Sequence, residues 1–196
     1  VKILAAIVAA LALTGAAQAG NLPHPTLDAV ATEVAGKPVS VWCETSVPGW
    51  VAFGADVDGF TRLSAPVVYL SPSVCLTLWA MLGRFDVGSY FASGSLLTLV
   101  HEAVHQRGIE DEGATDCTAL PFVPDVAQRY FGVSATALEP REVRTARWVR
   151  VSRTKRVRVV SVRVVWREVP NPLLRRLEAD ALRWHRLKPP EYQGNC

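Results

Sequence analysis

Ser95-Leu96-Leu97-Thr98-Leu99-Val100-His101-Glu102-Ala103-Val104-His105-Gln106-Arg107-Gly108 is the stretch on which the reading of this chain turns. Nothing before Gly108 breaks a helix, and Ser93 or Ser95 is placed to cap its start. Leu97, Val100 and Val104 recur at i, i+3 and i+7, an apolar stripe for a core. Thr98, His101, Glu102 and His105 share the adjoining face. Histidines four residues apart lie one above the other on a helix, so both imidazoles can bond one tetrahedral zinc. Glu102 then stands beside the metal's open position, where it can take a proton from a zinc-activated water. His101 and His105 are therefore expected as metal ligands and Glu102 as a general base. An ordinary amphipathic helix could also carry two solvated histidines, but this pair brings its own acid.

A third ligand is sought just downstream, in Gly108-Ile109-Glu110-Asp111-Glu112-Gly113-Ala114-Thr115-Asp116-Cys117. Four carboxylates crowd the positions from Glu110 to Asp116. Asp111 stands where HExxHxxGxxD would place a ligand, which resembles the metzincin pattern with aspartate in place of its third histidine. Glu112 and Asp116 spell ExxxD, which resembles the second helix of the gluzincins. In that group the Glu is the ligand and the Asp is hydrogen-bonded to a metal-bound histidine. Residues i and i+4 stack on one helix face, so Glu112 can reach the metal while Asp116 orients an imidazole. Gluzincins usually set ExxxD much further from HExxH, whereas Glu112 follows His105 by only seven positions. A tight turn at Gly108 would be needed to bring it back.

The longer pattern HExxHxxGxxxExxxxC resembles a group of small secreted actinobacterial zinc peptidases. The likeness covers the region around Leu96 to Leu120 and the closing Pro189-Pro190-Glu191-Tyr192 with Cys196. It implies a zincin-like site and Glu112 as the third zinc ligand but supplies no substrate; a peptide or protein substrate is the expectation of the HExxH chemistry itself. Asp111 and Asp116 stay open as alternative ligands. Each acid can also be read as a cap or a solvated carboxylate at a helix N-terminus.

The chain has 196 residues, the length of one domain. Its first nineteen combine Lys2, an apolar stretch and an Ala-x-Ala ending, the pattern of a secretory signal peptide cleaved between Ala19 and Gly20. Residues 20–196 are then a single zincin-like domain, secreted or held in a bacterial cell envelope. Cys43, Cys75, Cys117 and Cys196 all follow the cleavage point, and an even count in an exported chain reads as two disulfides. Three connectivities are open, with Cys75–Cys117 and Cys43–Cys196 weakly favoured. No CxxC pair supports a cysteine-rich zinc site.

The fold class expected is α+β: a small sheet before the HExxH helix and a mainly helical C-terminal part. A helix is predicted over Thr26–Ala35, strands at Val39–Trp42, Trp50–Phe53 and Pro66–Leu70, and a helix from Ser71-Pro72 to Leu82. Tyr90–Gly94 is predicted as loop, a short helix follows at Asp125–Phe131, and Asn171-Pro172 caps an amphipathic helix over Leu173–Leu187 that Pro189-Pro190 ends. His185 is read as a surface or packing histidine. Between Arg141 and Arg167 arginine recurs every third residue as far as Arg156, and Val157 to Trp166 then has the β-branched richness of a strand. That segment is read first as a solvated or poorly ordered insertion, and second as a basic stretch for anionic cell envelope. A net charge of +3 with sparse aromatics argues against nucleic acid. The functional expectation is a secreted zinc-dependent peptidase; the alternative is a non-catalytic zinc-binding envelope protein. An oxyanion-stabilising side chain would separate the two, and Tyr130 and Tyr192 are the candidates. Oligomeric state is left open.

Overall fold

In the computed structural model, the described residues are 22–45, 50–51, 57–85, 87–190, 193 and 196. They form a mixed α+β fold of two small sheets and six helices. Strands β1 (Leu22–Pro23), β2 (Ser40–Cys43), β3 (Gly59–Arg62) and β4 (Val67–Leu70) make a sheet in the order β1-β2-β4-β3. β2 and β4 run parallel while β1 and β3 pair antiparallel to their neighbours, which leaves β3 at an edge. The strands are short and half-buried: Val41 and Cys43 point into the core from β2, Val68 and Leu70 from β4.

Helix α1 (Pro25–Ala35) starts with Pro25 at N1 and His24 as its cap, and ends on Gly36 at φ 70°, the left-handed conformation that glycine adopts without strain. Its Asp28 accepts the Val41 amide at 2.6 Å, docking helix to sheet. Helix α2 (Pro72–Leu82) is capped by Ser71 with Pro72 in the first turn. The central element is α3 (Ser89–His105), with α4 (Glu112–Ala119), α5 (Phe122–Phe131) and α6 (Pro172–Leu187) packed around it.

α3 is longer than its sequence pattern suggests. Tyr90–Gly94 is helical rather than loop, and the N-cap is Gly88, not a serine. Packing supplies what capping does not. Trp184 of α6 stacks on Tyr90 with centroids 4.8 Å apart, donates its indole N–H to the Tyr90 carbonyl at 2.8 Å, and lies against Gly94. A Cβ at Gly94 would come within 2.6 Å of that indole, so the close crossing of α3 and α6 depends on glycine there. Ser93 hydrogen-bonds back to the Ser89 carbonyl instead of capping.

Two further expectations are corrected. Trp50 and Val51 are helical rather than a strand, while Ala52 and Phe53 lie outside the described residues, as do the predicted signal segment 1–19 and Tyr192. The disulfides are Cys43–Cys75 and Cys117–Cys196, not the favoured pairing. Cys43 sits opposite Leu70 in the β2–β4 register, and the chain turns directly from Leu70 into the first turn of α2, which carries Cys75. The two Cα atoms are thereby 5.8 Å apart, within bridging range. The arginine-rich segment forms a solvent-exposed ribbon: β5 (Thr136–Arg150) pairs antiparallel with β6 (Arg156–Pro170) along their whole length. Two disulfides suit an oxidising compartment. Among the described residues no helix is long and apolar enough to cross a membrane.

Candidate metal centre

The last turn of α3 faces a cleft of about 710 Å³ beneath the edge strand β3. Val57 to Thr61 form one wall, and His101, Glu102 and His105 form the floor. Glu110, Glu112, Lys188 and Pro189 close the far side. Gly59 makes the approach of strand to helix possible. A Cβ there would meet Thr98 at 2.9 Å, Glu102 at 3.1 Å and Leu70 at 3.2 Å. At the helix end, the Gln106 amide nitrogen donates to Thr61 Oγ1 at 2.5 Å and to the Ala65 carbonyl at 2.9 Å, pinning the β3–β4 turn over the site.

Beyond His105 the chain turns at Gly108, whose φ of 88° requires glycine, and enters α4 at once. Asp111 is the N-cap of α4 and accepts the Ala114 amide at 2.7 Å. That hydrogen bond occupies it as a cap. Glu112 begins the helix and reaches back over α3. Asp116, one turn on, is fully buried beneath His101.

Three acceptor atoms converge here. His101 Nε2 lies 3.0 Å from His105 Nε2 and 2.9 Å from Glu112 Oε2, and His105 Nε2 is 3.4 Å from the same oxygen. The partners of the opposite ring nitrogens fix the tautomers. His105 Nδ1 faces the Ile109 carbonyl at 2.6 Å, and a carbonyl only accepts, so the hydrogen sits on Nδ1. His101 Nδ1 likewise donates to Asp116 Oδ1 at 2.5 Å. Both Nε2 atoms therefore present lone pairs to each other and to a carboxylate oxygen. Such a group repels itself unless a cation lies between its members. Ligands on a tetrahedral zinc with bonds of about 2.0–2.1 Å stand about 3.3 Å apart, close to the spacing seen here. His101, His105 and Glu112 could hold a metal ion.

Asp116 is the hub behind this face. It accepts from His101 Nδ1, from His185 Nδ1 at 2.9 Å and from Lys188 Nζ at 2.7 Å. Burial alone would raise its carboxyl, but the His101 hydrogen bond, the Lys188 charge and the His185 hydrogen bond together hold it well below the usual carboxylate range. His185 is thus a buried partner of Asp116, not a surface histidine, and its other nitrogen lies 3.5 Å from Cys196 Sγ. Glu102 is buried too. Burial, then the neighbouring Glu112 charge, push its carboxyl up to about 8, with Lys188 pulling the other way.

Tyr130 is not part of the site. Its hydroxyl donates to Glu33 between α5 and α1, and that bond raises its pKa. The cleft's cationic side chain is Lys188, which sequence reasoning passed over. Its only local signal is a position directly before the Pro189-Pro190 stop, and nothing in the sequence connects it to residue 116. Compared with family models, curated proteins and solved structures, the chain finds no match.

Proposed function

We propose that this protein is a zinc-dependent hydrolase of zincin type that cleaves peptide bonds. The observation that carries the reading is the convergence of two imidazole lone pairs and the Glu112 carboxylate on one point of a cleft whose floor also holds Glu102. Zinc held by His101, His105 and Glu112 would supply Lewis acidity and a lowered pKa for water. Glu102 follows His101 in the chain and belongs to the same face without joining the ligand cluster. It takes the proton of the attacking water and returns it to the leaving nitrogen. Burial raises this carboxyl in the metal-free chain, and a dication beside it would lower it toward the ionised form that a base requires. Asp116 keeps the His101 hydrogen on Nδ1 and so keeps Nε2 available to the metal.

The cleft also favours an extended peptide. Gly59, Phe60 and Thr61 of β3 line it, and β3 ends the sheet among the described residues, the position at which an extended peptide adds a strand. Phe60 and Leu63 offer apolar contact beside Asp58 and Glu110. Metal analysis of the purified chain, run with a broad peptide-library cleavage assay, tests the reading. One zinc per chain with cleavage that a chelator stops is expected. Stoichiometric zinc without cleavage of any peptide would leave a metal-binding protein and overturn the peptidase.

A further inference from the structure

The β5–β6 ribbon is the part of the molecule that the metal centre does not use. It is rooted between α5 and α6, where Asn171 donates its backbone amide to the Ala135 carbonyl and its side-chain amide to the Ser134 carbonyl. Two fifteen-residue strands at about 3.4 Å per residue reach about 50 Å. None of their residues is buried.

Its two faces follow from the register, in which each residue opposes one of the same parity. The even-numbered face gathers Leu138, Trp148, Val160, Val162, Val164 and Trp166, which stand 53–68% exposed. A two-stranded ribbon has no second layer to cover them. Charge is equally lopsided. Between residues 136 and 170 there are ten Arg and Lys against three Glu, a formal +7, in a chain whose total is +3. The remainder of the chain is therefore at −4. Arg144, Arg150, Arg156 and Arg158 share the even face with the tryptophans, where Glu142 pairs with Arg144 and Glu168 also lies, and Arg153 and Lys155 lie in the turn.

We infer that this ribbon is a docking arm for an anionic lipid surface. An anionic bilayer matches both properties of the even face: headgroup phosphates take the arginines while the interfacial layer takes the Trp rings and the valines. A soluble polyanion would satisfy the arginines and leave the apolar row in water. A second ribbon would cover the apolar row but would set +7 against +7. The inference does not rest on the metal centre.

Co-sedimentation of the full chain with vesicles tests it, using phosphatidylcholine alone and phosphatidylcholine mixed with phosphatidylglycerol. Binding to the mixed vesicles only, weakening with salt, is expected. Arg150→Gln and Arg156→Gln should each cost about fivefold in partitioning. The double variant Trp148→Ala/Trp166→Ala, which leaves charge unchanged, should cost about tenfold or more. Circular dichroism matching the parent shows that each variant remains folded, and these solvent-facing positions carry no core contact. Polyphosphate binding with the Trp double variant as competent on vesicles as the parent would overturn the lipid reading in favour of a polyanion. Concentration-dependent self-association without vesicle binding would overturn it in favour of a second copy, and binding to none would end it.

Discussion

Asp116 joins His101 to His185: one carboxylate oxygen accepts from the His101 ring at 2.5 Å and the other from the His185 ring at 2.9 Å. Through it α4 orients a metal-facing imidazole of α3 while being anchored to α6. The roles of the three downstream acids then separate cleanly. Glu112→Ala removes a ligand atom and should weaken zinc binding most. Asp116→Ala should cost about 10–100-fold through the loosened His101. Asp111→Ala should leave zinc affinity near the parent while costing about 1 kcal/mol of stability through the lost cap. Chelator competition on the three variants gives the ranking, and a largest loss at Asp111 would refute the assignment of Glu112.

Glu102→Gln keeps the size of the side chain and removes its basicity. Hydrolysis should fall by about 100-fold or more. Zinc stoichiometry should stay at one, because Glu102 is outside the ligand cluster. Turnover at the parental rate would exclude Glu102 as the base.

The same variant reports on pH in the metal-free chain. Glu102 titrates at about 8 when folded against an ordinary value of 4.5, so the folded state retains a proton that the unfolded chain has released between those limits. Its contribution to stability is therefore intact below about pH 4.5 and is lost as pH rises toward 8. Urea unfolding of chelator-treated proteins should show the Gln variant gaining on the parent by about 1.4 kcal/mol per pH unit across this window. Parallel stability curves would contradict the buried position of Glu102.

Gly59→Ala tests the closeness of β3 to α3. The added methyl meets Thr98, Glu102 and Leu70 at 2.9–3.2 Å. Overpacking of this kind costs about 1–3 kcal/mol and should displace the base, lowering turnover while leaving zinc affinity near the parent. An unchanged melting temperature would mean that the strand can lift away freely.

What could be read in advance was local. Ser71-Pro72 and Asn171-Pro172 are start signals whose chemistry acts within one turn, and both helices begin where those residues place them. The start of α3 failed that test because it is held by Trp184, 94 residues beyond Tyr90, and not by a cap. Disulfide pairing failed for the same reason. Cys43 meets Cys75 through a strand register, which spacing along the chain does not encode. His185 was legible as a packing histidine but its partner was not, and Lys188 was overlooked, because a helical histidine and a lysine before prolines carry no sign of Asp116. The second strand of the ribbon was legible in the β-branched richness of Val157 to Trp166, while the first was obscured by an arginine period of three, which fits neither strand nor helix.

The Cys117–Cys196 bridge spans 79 residues, and the whole ribbon lies within that span. Severing the ribbon's tip does not divide the molecule. A trypsin cut after Arg153 or Lys155 would yield two pieces still joined by sulfur, with α6 fastened to α4 and the Asp116–His185 contact in place. Nicked protein should run as one band without reductant and as two with it, and should still bind zinc. The limb that reaches outward and the frame that holds the metal are thus covalently insulated from each other's damage.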